Sequence, residues 1–95
     1  MNNNTENNAK IEVYSGDYCP YCVRAKALLE QRNLPFTEYN VQQDPSLREA
    51  MMSRSNGGRS IPQIFINDQH VGGCDELYAL DKKGELDAWL SREAA

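Results

Sequence analysis

A chain of 95 residues is long enough for one small domain with a thin core. Its composition, 40% hydrophobic and 25% charged residues, is typical of a soluble globular protein. The net charge of −4 argues against nucleic acid or an anionic membrane as a partner, and no apolar run reaches the length of a membrane span.

The chain begins with a polar, asparagine-rich segment. We predict a disordered tail over residues 1–9 and one domain over residues 10–95. The segment lacks the basic and then apolar pattern of a signal peptide, so we expect a cytoplasmic protein. In that reducing compartment, a pair of nearby cysteines indicates catalysis more than a structural disulfide.

The first predicted strand, over residues 10–15, leads into two cysteines at the start of a segment with helical spacing. Pro20 suits the first helical position, because its missing N–H costs nothing there and its φ is already helical. Cys19 then lies at the helix N-terminus, where unpaired N–H groups and the helix dipole favour its thiolate. Cys22 lies on the same helix face within disulfide reach. One thiol can therefore attack, and the other can resolve.

Two non-catalytic roles compete with this interpretation of the cysteine pair. A structural disulfide does not fit a chain without secretory features. A zinc site has four candidate ligands, namely Cys19, Cys22, His70 and Cys74. Because Pro20 and a continuing helix fit a redox turn better than a metal knuckle, we expect no metal.

The next elements alternate between helix and strand. The first helix is predicted over residues 20–32 and a second strand over residues 36–41, which gives a βαβ unit with parallel pairing. Asp44 is the predicted N-cap of a second helix that ends near residue 53.

The last third of the chain begins with a predicted β-hairpin around a two-residue turn at residues 67–68. Cys74 or Asp75 is the predicted N-cap of a third helix, and a short fourth helix follows from Glu85. The order βαβαββαα predicts an α/β fold, a four-stranded mixed sheet with helices on both faces.

Three motifs in this order resemble those of the dithiol glutaredoxins, in particular the small bacterial type. They are Cys-Pro-Tyr-Cys at 19–22, Ser-Ile-Pro-Gln-Ile-Phe-Ile at 60–66 and Gly-Gly-Cys-Asp-Glu-Leu at 72–77. The resemblance extends over nearly the whole chain and implies a thioredoxin fold. It also implies glutathione-dependent reduction of protein disulfides and protein–glutathione mixed disulfides, with Cys19 as nucleophile and Cys22 as resolving thiol.

The resemblance also implies which residues surround the dithiol. Pro62 corresponds to a cis-proline that supports the active site together with Pro20. The residues implied to bind glutathione are Tyr21, Ile61, Pro62, Gly73, Cys74 and Asp75. The backbone of Ile61 would pair with the cysteinyl part of glutathione, as one strand adds to another. The Asp75 carboxylate would bind the glutathione α-amino group and also cap its helix.

Some of these residues have a structural explanation as well. Tyr21 can flank the ligand or pack against the domain. Cys74 is either a small buried apolar residue or a third thiol open to glutathionylation. His70 is expected on the surface of the hairpin.

Gly16 is a departure from the family pattern, because glutaredoxins commonly have lysine three residues before the first cysteine. Without this lysine, the chain lacks a cation that would stabilise the thiolate and bind a glutathione carboxylate. Arg24 and Arg59 are candidate replacements.

The expected partners are glutathione and disulfide-containing or glutathionylated proteins, with ribonucleotide reductase as a candidate, and we expect a monomer. Two alternative functions remain. One is a redoxin reduced by thioredoxin reductase, which the Gly73 motif disfavours. The other is a binding module that holds an iron–sulfur cluster between two chains, which Pro20 disfavours.

Overall fold

The computed structural model describes residues 9–91. Except for Ala9, the predicted tail lies outside the described residues, as do residues 92–95 of the predicted domain. The elements are β1 (Ile11–Ser15), α1 (Pro20–Gln31), β2 (Thr37–Asn40), α2 (Pro45–Arg54), β3 (Gln63–Ile66), β4 (Gln69–Gly72), α3 (Cys74–Lys83) and α4 (Leu86–Leu90). This confirms the predicted order βαβαββαα. Within residues 9–91, no helix has the length and apolar character needed to cross a membrane.

The four strands form one mixed sheet in the order β2-β1-β3-β4. Strand β1 pairs in parallel with β2 and antiparallel with β3, and β3 pairs antiparallel with β4. The crossover through α1 allows the parallel pair, and a two-residue turn closes the hairpin. The architecture is the predicted α/β thioredoxin-like fold.

Apolar side chains pack on both faces of this sheet. On one face, α1, α3 and α4 cover the strands around a cluster that includes Val13, Leu29 and Leu77. On the other face, Met51 of α2 packs with Phe65 and with neighbours in β1 and the β2–α2 loop. Helices on both faces therefore enclose the central strands.

Strand β1 is buried along its whole length, although its sequence alternates between apolar and polar residues. Glu12 is 5% exposed and faces α2, where its carboxylate accepts a hydrogen bond of 2.8 Å from the Arg54 guanidinium. The Tyr39 hydroxyl donates a second, at 3.0 Å. The alternating side chains of β1 lie on opposite faces of the sheet. Both faces are buried, because α2 covers the face that carries Glu12.

The helix starts follow local sequence signals in two of three long helices. Cys19 and Asp44 are the N-caps of α1 and α2, and a proline follows each of them, as predicted. The predicted cap of α3 was wrong: Gly73 is the N-cap, and Cys74 and Asp75 lie within the first turn. The reason is that a downstream carboxylate turns back to the Gly73 N–H, so the helix begins one residue earlier.

Candidate functional site

The two cysteines of α1 form a disulfide with their Cα atoms 5.2 Å apart. As the N-cap, Cys19 has extended backbone angles, and its Sγ accepts a hydrogen bond of 3.1 Å from the Cys22 N–H. Cys19 is partly exposed, whereas Cys22 is 1% exposed. The same helix turn therefore presents one sulfur to solvent and buries the other.

The surface around the Cys19 sulfur carries aromatic and apolar side chains that are more than half exposed. Tyr18 is fully exposed and has a φ of 55°, in the left-handed region. Tyr21 and Val23 are also more than half exposed. Each lies within four residues of Cys19, so this sulfur lies among accessible apolar groups.

A second segment, the loop before β3, lies beside Cys19. The Ile61–Pro62 peptide bond is cis, which confirms the isomer implied by the sequence motif. The carbonyl oxygen of Ile61 lies 4.0 Å from the Cys19 sulfur. Pro62 is buried and Ile61 partly exposed, so the loop presents its backbone beside the disulfide.

A pocket of about 160 Å³ lies between this loop and the start of α3. The lining residues are Tyr21, Ser60, Ile61, Pro62, Gly73, Cys74, Asp75 and Glu76. All six residues that the motifs implied for glutathione contact this one pocket. A Cβ on Gly73 would lie 3.3 Å from the Pro62 carbonyl oxygen, so glycine permits the close approach of the two segments.

Sequence reasoning missed two residues of this pocket, Ser60 and Glu76. The Glu76 Oε1 accepts a hydrogen bond of 2.8 Å from the Gly73 N–H, which fixes the start of α3. A glutamate three residues after the cap position is the usual sequence signal for this contact. Ser60 has no comparable signal, because its place depends on the loop.

Cys74 lines the pocket but is 6% exposed. Burial raises the pKa of its thiol, although the charge of Arg24 acts in the opposite direction. The thiol form therefore predominates near neutral pH, as for a small apolar residue in the core.

The other side of Cys19 borders an open depression of about 450 Å³. Lys26 lies there, and its Nζ contacts Glu38 at 2.7 Å. A Cβ at Gly16 would lie 2.7 Å from both the Gln42 amide nitrogen and the Ile61 Cδ1. The position of the missing family lysine is therefore occupied by its neighbours, and a side chain there requires Gln42 and Ile61 to move.

The two arginines named as replacements differ in their surroundings. The Arg24 guanidinium lies 5.8 Å from the centre of the Tyr21 ring, at the edge of the pocket. Arg59 is exposed in the loop that precedes Ser60. Each arginine thus adjoins one residue that lines the pocket, Arg24 beside Tyr21 and Arg59 before Ser60.

His70 lies on the hairpin with two specific contacts. Its Nε2 is 2.6 Å from the Gln63 Oε1, and its ring centre is 4.9 Å from that of Phe65. His70 is exposed on the hairpin, as expected, and desolvation of its ring lowers its pKa. Within residues 9–91, no group of three or more His, Cys, Asp or Glu side chains is arranged to hold a metal ion.

Comparisons with known proteins agree with this geometry. A sequence model described as Glutaredoxin matches residues 11–71, which include the dithiol and the cis-proline. The chain is 56% identical over 82 residues to a probable glutaredoxin of Synechocystis, covering 86% of this chain and 93% of the relative. It is 50% identical over 82 residues to glutaredoxin 3 of Escherichia coli, covering 86% and 98%. The crystal structure of a buckwheat glutaredoxin–glutathione complex superposes with a TM-score of 0.78 at 29% identity, over 92% of this chain and 81% of that one.

Proposed function

This chain belongs to the glutaredoxin family and is a thiol–disulfide oxidoreductase, and we propose that glutathione is its reductant. The proposed substrates are protein–glutathione mixed disulfides and protein disulfides. The observation that carries this proposal is the pocket beside the Cys19–Cys22 disulfide, which contacts every residue that the family motifs imply for glutathione.

The chemical roles of the two cysteines follow from their surroundings. Cys19 is the proposed nucleophile, because its sulfur is accessible and accepts the Cys22 N–H hydrogen bond, which stabilises a thiolate. Cys22 is the proposed resolving thiol, because it is buried one turn along the helix and forms the disulfide with Cys19. Pro20 and Pro62 support this arrangement by starting α1 and shaping the adjacent loop.

On a glutathionylated protein, the Cys19 thiolate attacks the glutathione sulfur, and the substrate cysteine leaves as a thiolate that takes a proton from solvent. A second glutathione thiolate then attacks the glutathione sulfur bound to Cys19. Glutathione disulfide forms, and Cys19 leaves as a thiolate. Each turnover thus consumes one free glutathione, and the other half of the glutathione disulfide comes from the substrate.

On a protein disulfide, Cys19 forms a mixed disulfide with one substrate cysteine and releases the other as a thiolate. The Cys22 thiolate then attacks the Cys19 sulfur and releases the reduced protein. The Cys19–Cys22 disulfide that remains is the state described above. Two glutathione molecules return it to the dithiol.

The pocket offers groups that suit glutathione in chemical type. The Ile61 backbone offers strand-like pairing to a peptide, and the exposed Asp75 carboxylate offers an acceptor for an ammonium group. Tyr21 provides an exposed aromatic ring in the same pocket as Gly73. The buckwheat relative supports the same ligand, because it has been crystallised as a complex with glutathione.

The proposed setting is the cytoplasm, where glutathione is kept reduced. We propose that the protein acts as a monomer on disulfide-containing or glutathionylated proteins, with ribonucleotide reductase as one candidate. Nucleic acid and membrane surfaces are not proposed partners, since the chain carries a net charge of −4.

The test compares Cys19→Ser and Cys22→Ser on two substrates, a small glutathionylated compound and a protein disulfide. We expect Cys19→Ser to be inactive on both, because a serine hydroxyl is protonated at neutral pH. Cys22→Ser should retain turnover of the glutathionylated compound and lose most turnover of the protein disulfide. A folded Cys22→Ser protein that is inactive on both substrates would contradict these roles.

The same assay, run with two electron sources, tests the reductant. Glutathione with glutathione reductase should sustain turnover, and thioredoxin reductase with NADPH should not. The opposite result would make the protein a redoxin that depends on thioredoxin reductase.

A further inference from the structure

The loop that carries Ile61 has little backbone support of its own. Among the described residues, no backbone–backbone hydrogen bond outside the regular elements involves residues 58–62. Side chains connect this loop to the domain instead. The Ser55 hydroxyl lies 3.3 Å from the Gly58 carbonyl oxygen, and the Gln63 amide nitrogen donates to the Ser60 carbonyl oxygen at 2.9 Å.

Gln63 is the contact nearer to the active site. Its side chain is buried, and its Nε2 also lies 3.3 Å from the Ser60 hydroxyl. Ser60 and Ile61 line the glutathione pocket, and the Ile61 carbonyl oxygen lies 4.0 Å from the Cys19 sulfur. The amide of Gln63 therefore holds the backbone immediately before the residue that faces the reacting sulfur.

The orientation of that amide depends on His70. Because the Gln63 Nε2 donates to the Ser60 carbonyl, its Oε1 is the acceptor that faces the His70 Nε2, at 2.6 Å. The His70 Nε2 must then carry hydrogen. A rotated amide would place its NH₂ group against this donor and its oxygen against the Ser60 carbonyl. The stacking of His70 on Phe65 keeps the imidazole in place.

We propose that His70 is a positioning residue that acts through Gln63 to hold the Ser60–Ile61 backbone in the geometry that binds glutathione. This inference rests on the proposed use of glutathione. His70 is not among the residues that line the pocket, and its Nε2 donates whether the ring is neutral or protonated. The relay is therefore a fixed support and not a pH switch.

The test uses His70→Phe, which keeps a ring against Phe65 but removes the donor, and His70→Gln, which restores a donor. We expect His70→Phe to raise the KM for glutathione or a glutathionylated substrate roughly three- to tenfold with little change in kcat, as for one lost hydrogen bond. His70→Gln should recover most of this loss. Thermal unfolding of each variant separates positioning from general destabilisation.

A double-mutant cycle tests whether the effect passes through Gln63. In a Gln63→Leu background, His70→Phe should cause no further rise in KM. An equal rise in both backgrounds, an unchanged KM in His70→Phe, or a loss confined to kcat would overturn the proposal.

A second measurement is independent of glutathione. In ¹⁵N–¹H spectra, the Ser60 and Ile61 amide signals should shift or broaden in His70→Phe and return towards their wild-type positions in His70→Gln. Unchanged signals would overturn the positioning role. If the wild type does not turn over glutathione, the proposed function is wrong, and these spectra still decide the role of His70.

Discussion

At the scale of single residues, three cysteines in one small domain have three different environments. Cys19 is a helix cap with an accessible sulfur, Cys22 is buried on the inner face of the same helix, and Cys74 is buried at the start of another helix. Burial raises the pKa of the Cys74 thiol. The position of each sulfur relative to a helix terminus and to solvent therefore distinguishes residues with the same side chain.

The Asp75 carboxylate can be tested as the group that binds the glutathione ammonium. Asp75 lies within the first turn of α3, whereas Gly73 is the N-cap. Replacing Asp75 therefore leaves the hydrogen bond between the Gly73 N–H and Glu76 in place. We expect Asp75→Ala to weaken glutathione use by about 1.5–3 kcal/mol, mostly in KM, as for a hydrogen bond to a charged group. The measurement is KM for glutathione in the coupled assay.

Asp75→Asn is the matched control, since it keeps the size of the side chain and removes the charge. Its KM should lie between those of the wild type and Asp75→Ala, and the difference from wild type should shrink at high salt. A KM for Asp75→Ala equal to that of the wild type would remove Asp75 from the binding site.

At the scale of secondary-structure elements, the β3–β4 hairpin connects the active-site loop to the opposite end of the sheet. Its turn residues Asn67 and Asp68 have φ values of 52° and 66°, as a type I′ turn requires. The Asn67 side chain is also a connector: its Oδ1 accepts from the Lys10 N–H at 2.9 Å, and its Nδ2 donates to the carbonyl oxygens of Trp89 and Leu90. The turn thus joins β1 and α4 to the hairpin.

Because Asn67 has this second role, glycine substitutions at Asn67 and Asp68 should differ in their effect on stability, although glycine fits the turn backbone at both positions. Glycine suits the positive φ at either position. Asn67→Gly should nevertheless destabilise the protein by about 2 kcal/mol, because it removes buried side-chain hydrogen bonds. Asp68→Gly should have a clearly smaller effect, since Asp68 is exposed and its ion pairs with Lys10 and Arg54 are screened by solvent. Urea unfolding measures both, and equal losses would refute the connecting role of Asn67.

At the scale of the whole molecule, the two cores differ in chemical character. The core under α1 and α3 is apolar, whereas an ion pair between buried Glu12 and partly buried Arg54 borders the one under α2. Burial acts to raise the pKa of Glu12, but the hydrogen bonds from Arg54 and Tyr39 outweigh it and hold this pKa below its usual value of 4.5. The Arg54 guanidinium also lies 4.2 Å from the centre of the Phe65 ring.

The Glu12 carboxylate should therefore make the free energy of unfolding depend on pH in the acidic range. Since its folded-state pKa is lowered, its contribution is present above about pH 4.5 and is lost as pH falls through the folded value. Glu12→Gln should cost about 2 kcal/mol at pH 7, and the difference from wild type should narrow towards pH 3. Urea unfolding at several pH values measures this.

Glu38→Gln is the control for this experiment. Hydrogen bonds from Lys26 and Ser15 lower the pKa of Glu38 too, but this side chain is exposed and its ion pair is screened. Its pH dependence should be weaker than that of Glu12. A constant difference between wild type and Glu12→Gln from pH 7 to pH 3 would contradict the assignment.

The sequence by itself determined the features that depend on neighbouring residues. Pro20 after Cys19 and a proline after Asp44 start α1 and α2, because proline favours the first helical position. The Asn67–Asp68 pair predicts the hairpin, because both residues tolerate positive φ. Short motifs were therefore enough to predict the order of elements and six of the eight residues that line the pocket.

Tertiary structure decided the features whose partners are distant in the chain. Glu12 is polar in a strand pattern, yet it is buried because Arg54, 42 residues later, supplies the opposite charge. Gln63 and His70 meet because the hairpin register brings their side chains together, and Gln63 in turn donates to the Ser60 carbonyl oxygen. The α3 cap was mispredicted, because Asp75 has the right residue type for a cap while Glu76 has the reach to the Gly73 N–H. Local propensity indicates which residue types favour a given position in a helix or turn. These contacts depend instead on which atoms the folded chain brings within hydrogen-bonding distance.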